Sequence, residues 1–375
     1  MTLDIEPNYS SATPPVSGKS PASQRTASRD VYAALDLGSN NCRLLVAKPA
    51  PSGFRVIDAF SRIVRLGEGV AENGRLSDAA MARTLAALEV CAAKLRRRGV
   101  TRFRGVATEA CRLADNCDEF LARARAQAGL ELEIISGGEE ARLALDSCTP
   151  LLAAAASHAL LFDIGGCSTE LIWVRLAGDR PPEVADWTSL ACGVVSLAER
   201  HGGDSGAAST YAGDSGAAST YGGDSGAART YGGDSVAYGA MVAEAGALVA
   251  PFVAALKIGD LLAAGTVQLL GTSGTITTLA GLHLGLARYD RAQVDGFRLA
   301  RADIRRQVDR LLAMDLAGRA AEPCIGAGRG DVVIAGCAIL EAILQACPAQ
   351  SVDVADRGLC EGMLLGMMRD DDLAV

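Results

Sequence analysis

"LLFDIGGCSTELIWV", residues 160–174, opens as a buried strand and then breaks its own pattern. Leu160, Leu161, Phe162 and Ile164 are apolar, yet Asp163 stands among them, and Gly165, Gly166, Cys167, Ser168, Thr169 and Glu170 follow. "AALDLGSNNCRLLVA", residues 33–47, repeats the layout: an apolar strand, Asp36, then Gly38, Ser39 and Asn40, then a second apolar run. Glycines at a strand-to-turn junction let backbone N–H groups approach an anion without a Cβ in the way. Ser39, Asn40, Ser168 and Thr169 add side-chain donors. Two such loops facing each other across a cleft would hold a chain of phosphates. A third candidate is "LLGTSGTITTLAG", residues 269–281, where Gly271, Thr272, Ser273 and Gly274 follow a strand and open a helix, offering its free N–H groups to an anion. None of the four lysines lies in these loops, which excludes a Walker-type nucleotide site.

The carboxylates fit the same picture. Phosphate oxygens repel bare acids, so Asp163 and Glu170 beside a phosphate site imply a hard cation, and magnesium takes few carboxylates plus substrate oxygens. A hydrolase also needs a base for its water. "IISGGEEARLAL", residues 134–145, puts Glu139 and Glu140 at the start of a helix directly after a strand. The competing explanation is that acids in a first helical turn are simply favoured by the macrodipole. "ATEACRLADN", residues 107–116, adds Arg112 as a guanidinium clamp on phosphate, with a surface salt bridge as its rival role.

Composition narrows the class. At 375 residues the chain has room for two domains, and 49% hydrophobic content supplies a sizeable core. A net charge of −8 argues against nucleic acid as a partner, which needs a basic footprint. Eleven cysteines without a C-x-x-C pair read as reduced, buried thiols in a cytoplasmic protein rather than a disulfide frame or zinc site. No apolar run approaches 18 residues without polar interruption, so no membrane span is expected, and the N-terminus lacks a secretory pattern.

Residues 1–29, rich in Ser, Pro and Thr, read as a disordered tail. "GDSGAASTYA" (203–212) recurs at 213 and 223 and decays at 233, so residues 202–239 read as a flexible insert of tandem decapeptides. The rest alternates strands and helices. Residues 78–98 form a helix with Ser77 as N-cap and Gly99 at its stop. A β-β-β-α-β-α order occurs twice, each copy opening on Asp-x-Gly. The expectation is an α/β protein of two duplicated domains, residues 30–150 and 151–375.

The motif set "ALDLGSNNCRLLVA", "ATEACRLADNCDEF", "IISGGEEARLAL", "LLFDIGGCSTELIWV", "LLGTSGTITTLAG" and "DRGLCEGMLLG" resembles, in order and spacing, the exopolyphosphatase and guanosine pentaphosphate phosphatase family over residues 31–367 outside the repeat. The resemblance implies two ribonuclease-H-like domains of the actin and sugar kinase superfamily around a cleft, and a homodimer. It implies Mg²⁺, with K⁺ activation as an option, and hydrolysis of the terminal anhydride of inorganic polyphosphate or of pppGpp. It makes Glu140 the base and gives Asp163 and Glu170 to the metal. Cys167 stands where the family usually has a third Gly or a small residue, and a positive φ there would strain it. With only His158, His201 and His283 present, a Ser-His-Asp triad has no candidates, and the pattern is that of the short, two-domain form. Three other classes compete: a sugar or acetate kinase, an actin- or chaperone-like nucleotide switch, and a pppGpp sensor without turnover.

Overall fold

The computed structural model describes residues 30–51, 53–178, 180–201, 234–326 and 328–371. The expected tail, 1–29, and the body of the repeat, 202–233, lie outside them.

Two mixed sheets carry the fold. The first joins β1 (Tyr32–Leu37), β2 (Asn41–Ala50), β3 (Gly53–Ile63), β4 (Arg102–Ala107) and β5 (Glu133–Ile134) in the order β3-β2-β1-β4-β5. β1, β2 and β3 form an antiparallel meander, and β4 and β5 add in parallel beside β1. The second joins β6 (His158–Ile164), β7 (Thr169–Arg175), β8 (Glu183–Leu190), β9 (Val267–Thr272), β10 (Arg298–Ala300) and β11 (Ser351–Ala355) in the order β10-β11-β9-β6-β7-β8. Its β8-β7-β6-β9-β11 core repeats the pairing of the first sheet, with β9 and β11 parallel to β6. This is the internal duplication expected from the two Asp-x-Gly openings, in the ribonuclease-H-like form that the resemblance implies.

The helices that matter for the site are α1 (Asp78–Arg98), α2 (Glu109–Leu113), α3 (Cys117–Ala128), α4 (Gly137–Cys148), α5 (Val194–Arg200), α6 (Asp234–Ala255), α7 (Ser273–His283), α8 (Arg301–Leu312), α9 (Val333–Ala346) and α10 (Leu359–Asp370). Ser77 caps α1 by accepting the Ala80 N–H at 3.2 Å, and Gly99 ends it at φ 62°. The outer face of each sheet buries its own helical layer: Leu35 and Leu37 with α1 and α3, Phe162 and Ile164 with α7 and α9. A third core lies between the sheets, where Ala34 and Leu45 from one and Leu161 and Ile172 from the other close on α4 and on α10, the last helix of the described chain. The two-residue period of a strand then carries this inner face onward to Asp36, Asp163 and Glu170. The carboxylates stand at strand ends, on the same face as the inter-sheet core.

Two expectations change. Residues 234–239, read as the end of the flexible insert, begin α6. Tyr238 is buried, and its hydroxyl donates to Glu341 at 2.6 Å. The reason is periodicity: Tyr238, Met241, Val242, Ala245 and Val249 are buried along one stripe, a pattern the decapeptide units lack. The stretch Val236–Ala255 is also long and apolar enough to cross a membrane by length and composition, contrary to the reading of the bare sequence. In the fold it packs on α9, and its Glu244 pairs with Arg200 and His201. All eleven cysteines are buried free thiols.

α4 and α10 cross closely because Gly362 has no side chain; a Cβ there would collide with the Leu143 backbone. Gly362→Ala is expected to cost about 1–3 kcal/mol by overpacking. Gly366→Ala, four residues on in the same helix with open space around it, is expected to stabilise by about 0.5–1 kcal/mol. Chemical denaturation of the two variants measures both.

Candidate active site

The two glycine turns meet. Gly38 closes the β1–β2 turn through its N–H to the Asn41 carbonyl (2.9 Å), and Gly165 closes the β6–β7 turn through its N–H to the Ser168 carbonyl (2.9 Å). An ideal Cβ on Gly166 would lie 3.0 Å from the Asn40 nitrogen and 3.1 Å from the Ser39 Cβ. Only glycine lets the turns of opposite halves approach this closely. Cys167 is not at positive φ, so the anticipated strain is absent. Its buried thiol instead reaches across to the Gly67 carbonyl at 3.8 Å.

Below the turns lie four carboxylates. Asp163 on β6 is the direct cross-strand partner of Glu170 on β7. Asp36, at the end of β1, is added to the pair by the structure, as is Glu140 from the first turn of α4. Burial pushes Asp36 up to about 7, aided by the charges of Glu140 and Asp163. Burial likewise raises Asp163 to about 6 and Glu140 to about 7, and it drives Glu170 well above the carboxylate range, with Glu140 and Asp163 adding repulsion. Glu170 is steadied by hydroxyl donations from Ser168 (2.7 Å) and Ser189 (2.8 Å), both to Oε1.

The Glu-Glu pair divides. Ser136 caps α4 by accepting the Glu139 N–H, and the Glu139 side chain turns to Arg104 at 2.5 Å. Glu140 points inward, 9% exposed, and accepts from Arg112 Nη1 at 2.8 Å. Arg112 is thus neither a free clamp nor a surface pair. It is partly buried on α2, donates also to the Ile135 carbonyl and to Glu109, and fixes Glu140.

The third loop gives a helix N-terminus. Thr272, the N-cap of α7, makes no side-chain cap, and Ser273 sits at φ 77°, a left-handed conformation unusual for serine, with its hydroxyl on the Ile164 carbonyl (2.9 Å). Several predicted donors are spent elsewhere. Thr169 gives its hydroxyl to the Cys192 carbonyl (2.5 Å), Thr272 to the Arg357 carbonyl, and Ser168 to Glu170. The Ser39 hydroxyl accepts the Ala110 N–H at 3.2 Å. Gly271 leaves room for the Phe162 ring rather than for an anion.

Arg329 is a residue the sequence reading missed. A Cβ on Gly274 would lie 3.5 Å from its Nη1, and among the described residues it has no ion-pair partner. Burial lowers its guanidinium against the opposing pull of Tyr289 and Asp356. Its only sequence signal is a position between glycines in "GAGRGD". Arg43, on β2 across from Asp36, was missed as well. It bonds Glu361 at 3.0 Å, and although burial alone would raise Glu361, Arg43 and Arg291 hold it below the usual range.

The donor set suits a hard cation. Asp36 Oδ1, Asn40 Oδ1 and Asn41 Oδ1 are buried oxygens without a hydrogen-bond partner. They adjoin acids that repel one another. Among the described residues no group of three or more His, Cys, Asp or Glu side chains is placed to hold a metal ion.

A carboxyl whose folded pKa is raised stabilises the fold below its unfolded pKa and loses that contribution as pH rises through the folded value. The window here runs from about pH 4 to about pH 7, set by Asp36, Asp163 and Glu140. In chelator the melting temperature is expected to fall across that window. Mg²⁺ is expected to raise it clearly at pH 8 and little at pH 5, because protons compete for the same oxygens. Equal shifts at both pH values would contradict the cation role of this cluster.

Comparison with known proteins agrees with the geometry. The model of the Ppx/GppA phosphatase family matches residues 45–209 and 228–371. A guanosine-5'-triphosphate,3'-diphosphate pyrophosphatase from Aeromonas salmonicida is 30% identical over 341 residues, 90% of this chain; the chain spans 59% of that relative's length. The Ppx/GppA family member of Aquifex aeolicus superposes with a TM-score of 0.65 at 25% identity, covering 92% of this chain and 99% of that one. An exopolyphosphatase-like protein superposes at 0.71 with 27% identity, covering 91% and 99%. The chain belongs to the Ppx/GppA phosphatase family.

Proposed function

We propose that this chain is an exopolyphosphatase, releasing the terminal orthophosphate of inorganic polyphosphate by attack of water. The observation that carries the reading is the meeting of two glycine turns from opposite halves over the carboxylates of Asp36, Glu140, Asp163 and Glu170, beside the helix N-terminus at Ser273 and Arg329, which has no ion-pair partner among the described residues. Backbone N–H groups of Ser39, Asn40 and Gly166–Ser168, with the Asn40 amide, would receive the terminal phosphoryl group. Asp163 and Glu170, with Asp36 beside them, would hold Mg²⁺, which when bound offsets phosphoryl charge as a Lewis acid. Glu140, held by Arg112, accepts the proton of the attacking water, and its raised pKa suits a base working near neutrality. The first turn of α7 and Arg329 face the leaving chain and stabilise the charge that develops on it.

The same anhydride ends pppGpp, and the Aeromonas relative, at 30% identity, favours that second substrate. Polyphosphate is placed first because the exopolyphosphatase-like structure is matched over 99% of its length at 27% identity.

Phosphate release with Mg²⁺ from long-chain polyphosphate, pppGpp and ATP in parallel tests the assignment. Release from polyphosphate is expected to dominate, and dominance of pppGpp would move the chain to the second reading. Glu140→Gln is expected to lower kcat by about 10²–10⁴-fold with substrate binding largely kept. Glu139→Gln, on the outer side of the helix, is expected to stay within about threefold, as surface charge changes do. Equal activity of Glu140→Gln and wild type would remove the base role.

A further inference from the structure

Arg329 belongs to the second half of the molecule, yet its loop is gripped from the first. Arg65 follows β3, and its backbone N–H donates to the Asn40 carbonyl at 3.0 Å, beside the Val64 N–H at 2.8 Å. Asn40 is the residue at the tip of the first glycine turn. The Arg65 guanidinium crosses to the other half, where Nη2 donates to the Gly328 carbonyl (3.1 Å) and to Asp331 Oδ1 (3.0 Å), with Oδ2 in ion-pair range at 2.7 Å. Those two acceptors flank Arg329 in sequence. Ile63 packs on the same loop, so closely that a Cβ on Gly328 would lie 2.6 Å from its Cδ1. Arg65 itself sits at φ 49°, a left-handed conformation that a non-glycine residue holds only when its surroundings demand it.

One connected path therefore runs from the phosphate turn of one half, through Arg65, to the loop that presents Arg329 beside Gly274 in the other half. Its members come from both halves. The ion pair is partly exposed, with side chains 31% and 22% accessible. Such a pair adds little to folding stability, and positioning is the role left to it.

We propose that Arg65 is a positioning residue for the phosphate chain. By holding Asp331 and the Gly328 carbonyl of the other half, it sets the Arg329 guanidinium against the first turn of α7. This rests on the phosphate-chain reading of the site.

Tripolyphosphate with Mg²⁺ is the probe, in both calorimetry and steady-state turnover of the full chain. Arg65→Met and Asp331→Asn are each expected to raise Kd and KM about tenfold, the size of one lost charge-assisted contact. Melting temperature is expected to stay unchanged, while kcat falls by up to about tenfold as Kd rises, since Arg329 stabilises charge that develops on the leaving chain. Arg65→Lys should recover part of the loss. Arg65→Met added to Arg329→Met should cost no more than Arg329→Met alone, because the two act in series. Unchanged Kd in Arg65→Met, or fully additive losses with Arg329→Met, would overturn the proposal. Wild-type protein that binds tripolyphosphate without releasing phosphate contradicts the hydrolase reading alone, and the binding arm still decides the role of Arg65. Wild-type protein that binds none overturns both.

Discussion

Four carboxylates gather between the two sheets; burial makes each harder to ionise, and the charge of Asp163 adds to this for Asp36, Glu140 and Glu170. Apolar packing does not explain them, since strand ends of this kind could carry leucine and gain stability. In the proposed reading a cation and a polyanion would offset the cost of burying them. The sheets present Asp36, Asp163 and Glu170 on one inner face because the strand period that buries Ala34, Leu161 and Ile172 continues into them. α4 delivers Glu140 to the same space, and α10 holds α4 in place through the contact at Gly362.

The meeting of the glycine turns is the second constraint. Gly166 lies against Ser39 and Asn40, Gly193 lies against Gly166, and the Cys167 thiol spans to Gly67. The structure is thus a closed arrangement in which anion donors from two halves converge. Residues expected to bind phosphate through side-chain hydroxyls act mainly as braces: Thr169, Thr272 and Ser168 hold backbone or carboxylate groups in register. The anion-facing donors that remain are backbone N–H groups, the Asn40 amide and Arg329, a set that grips phosphate by geometry more than by charge.

Much of this was legible in the sequence. Paired strands around Asp-x-Gly, the Ser77 and Gly99 limits of α1, and the Glu-Glu helix start are local signals, set by turn chemistry and capping. The duplicated topology followed from their repetition. What stayed hidden depends on distance in the chain. Asp36 joins Asp163 and Glu170 only when the halves meet, and the loop of Arg329 is held by Arg65 through contacts that span 263 and 266 residues of chain, a separation no local pattern encodes. The start of α6 was hidden differently: the repeat decays into an amphipathic stripe within a few residues, and composition masks the change of period. Arg112 illustrates a third limit, since sequence offered a phosphate clamp or a surface pair and the fold made it the partner of Glu140.

The central claim is that water attacks the terminal phosphorus, on the Glu140 side of the closed loops. Turnover of tripolyphosphate in ¹⁸O-labelled water, with mass analysis of both products, addresses it directly. The account predicts one labelled oxygen in the released orthophosphate and none in the pyrophosphate left behind. Label in the pyrophosphate would mean attack at an internal phosphorus and would contradict it.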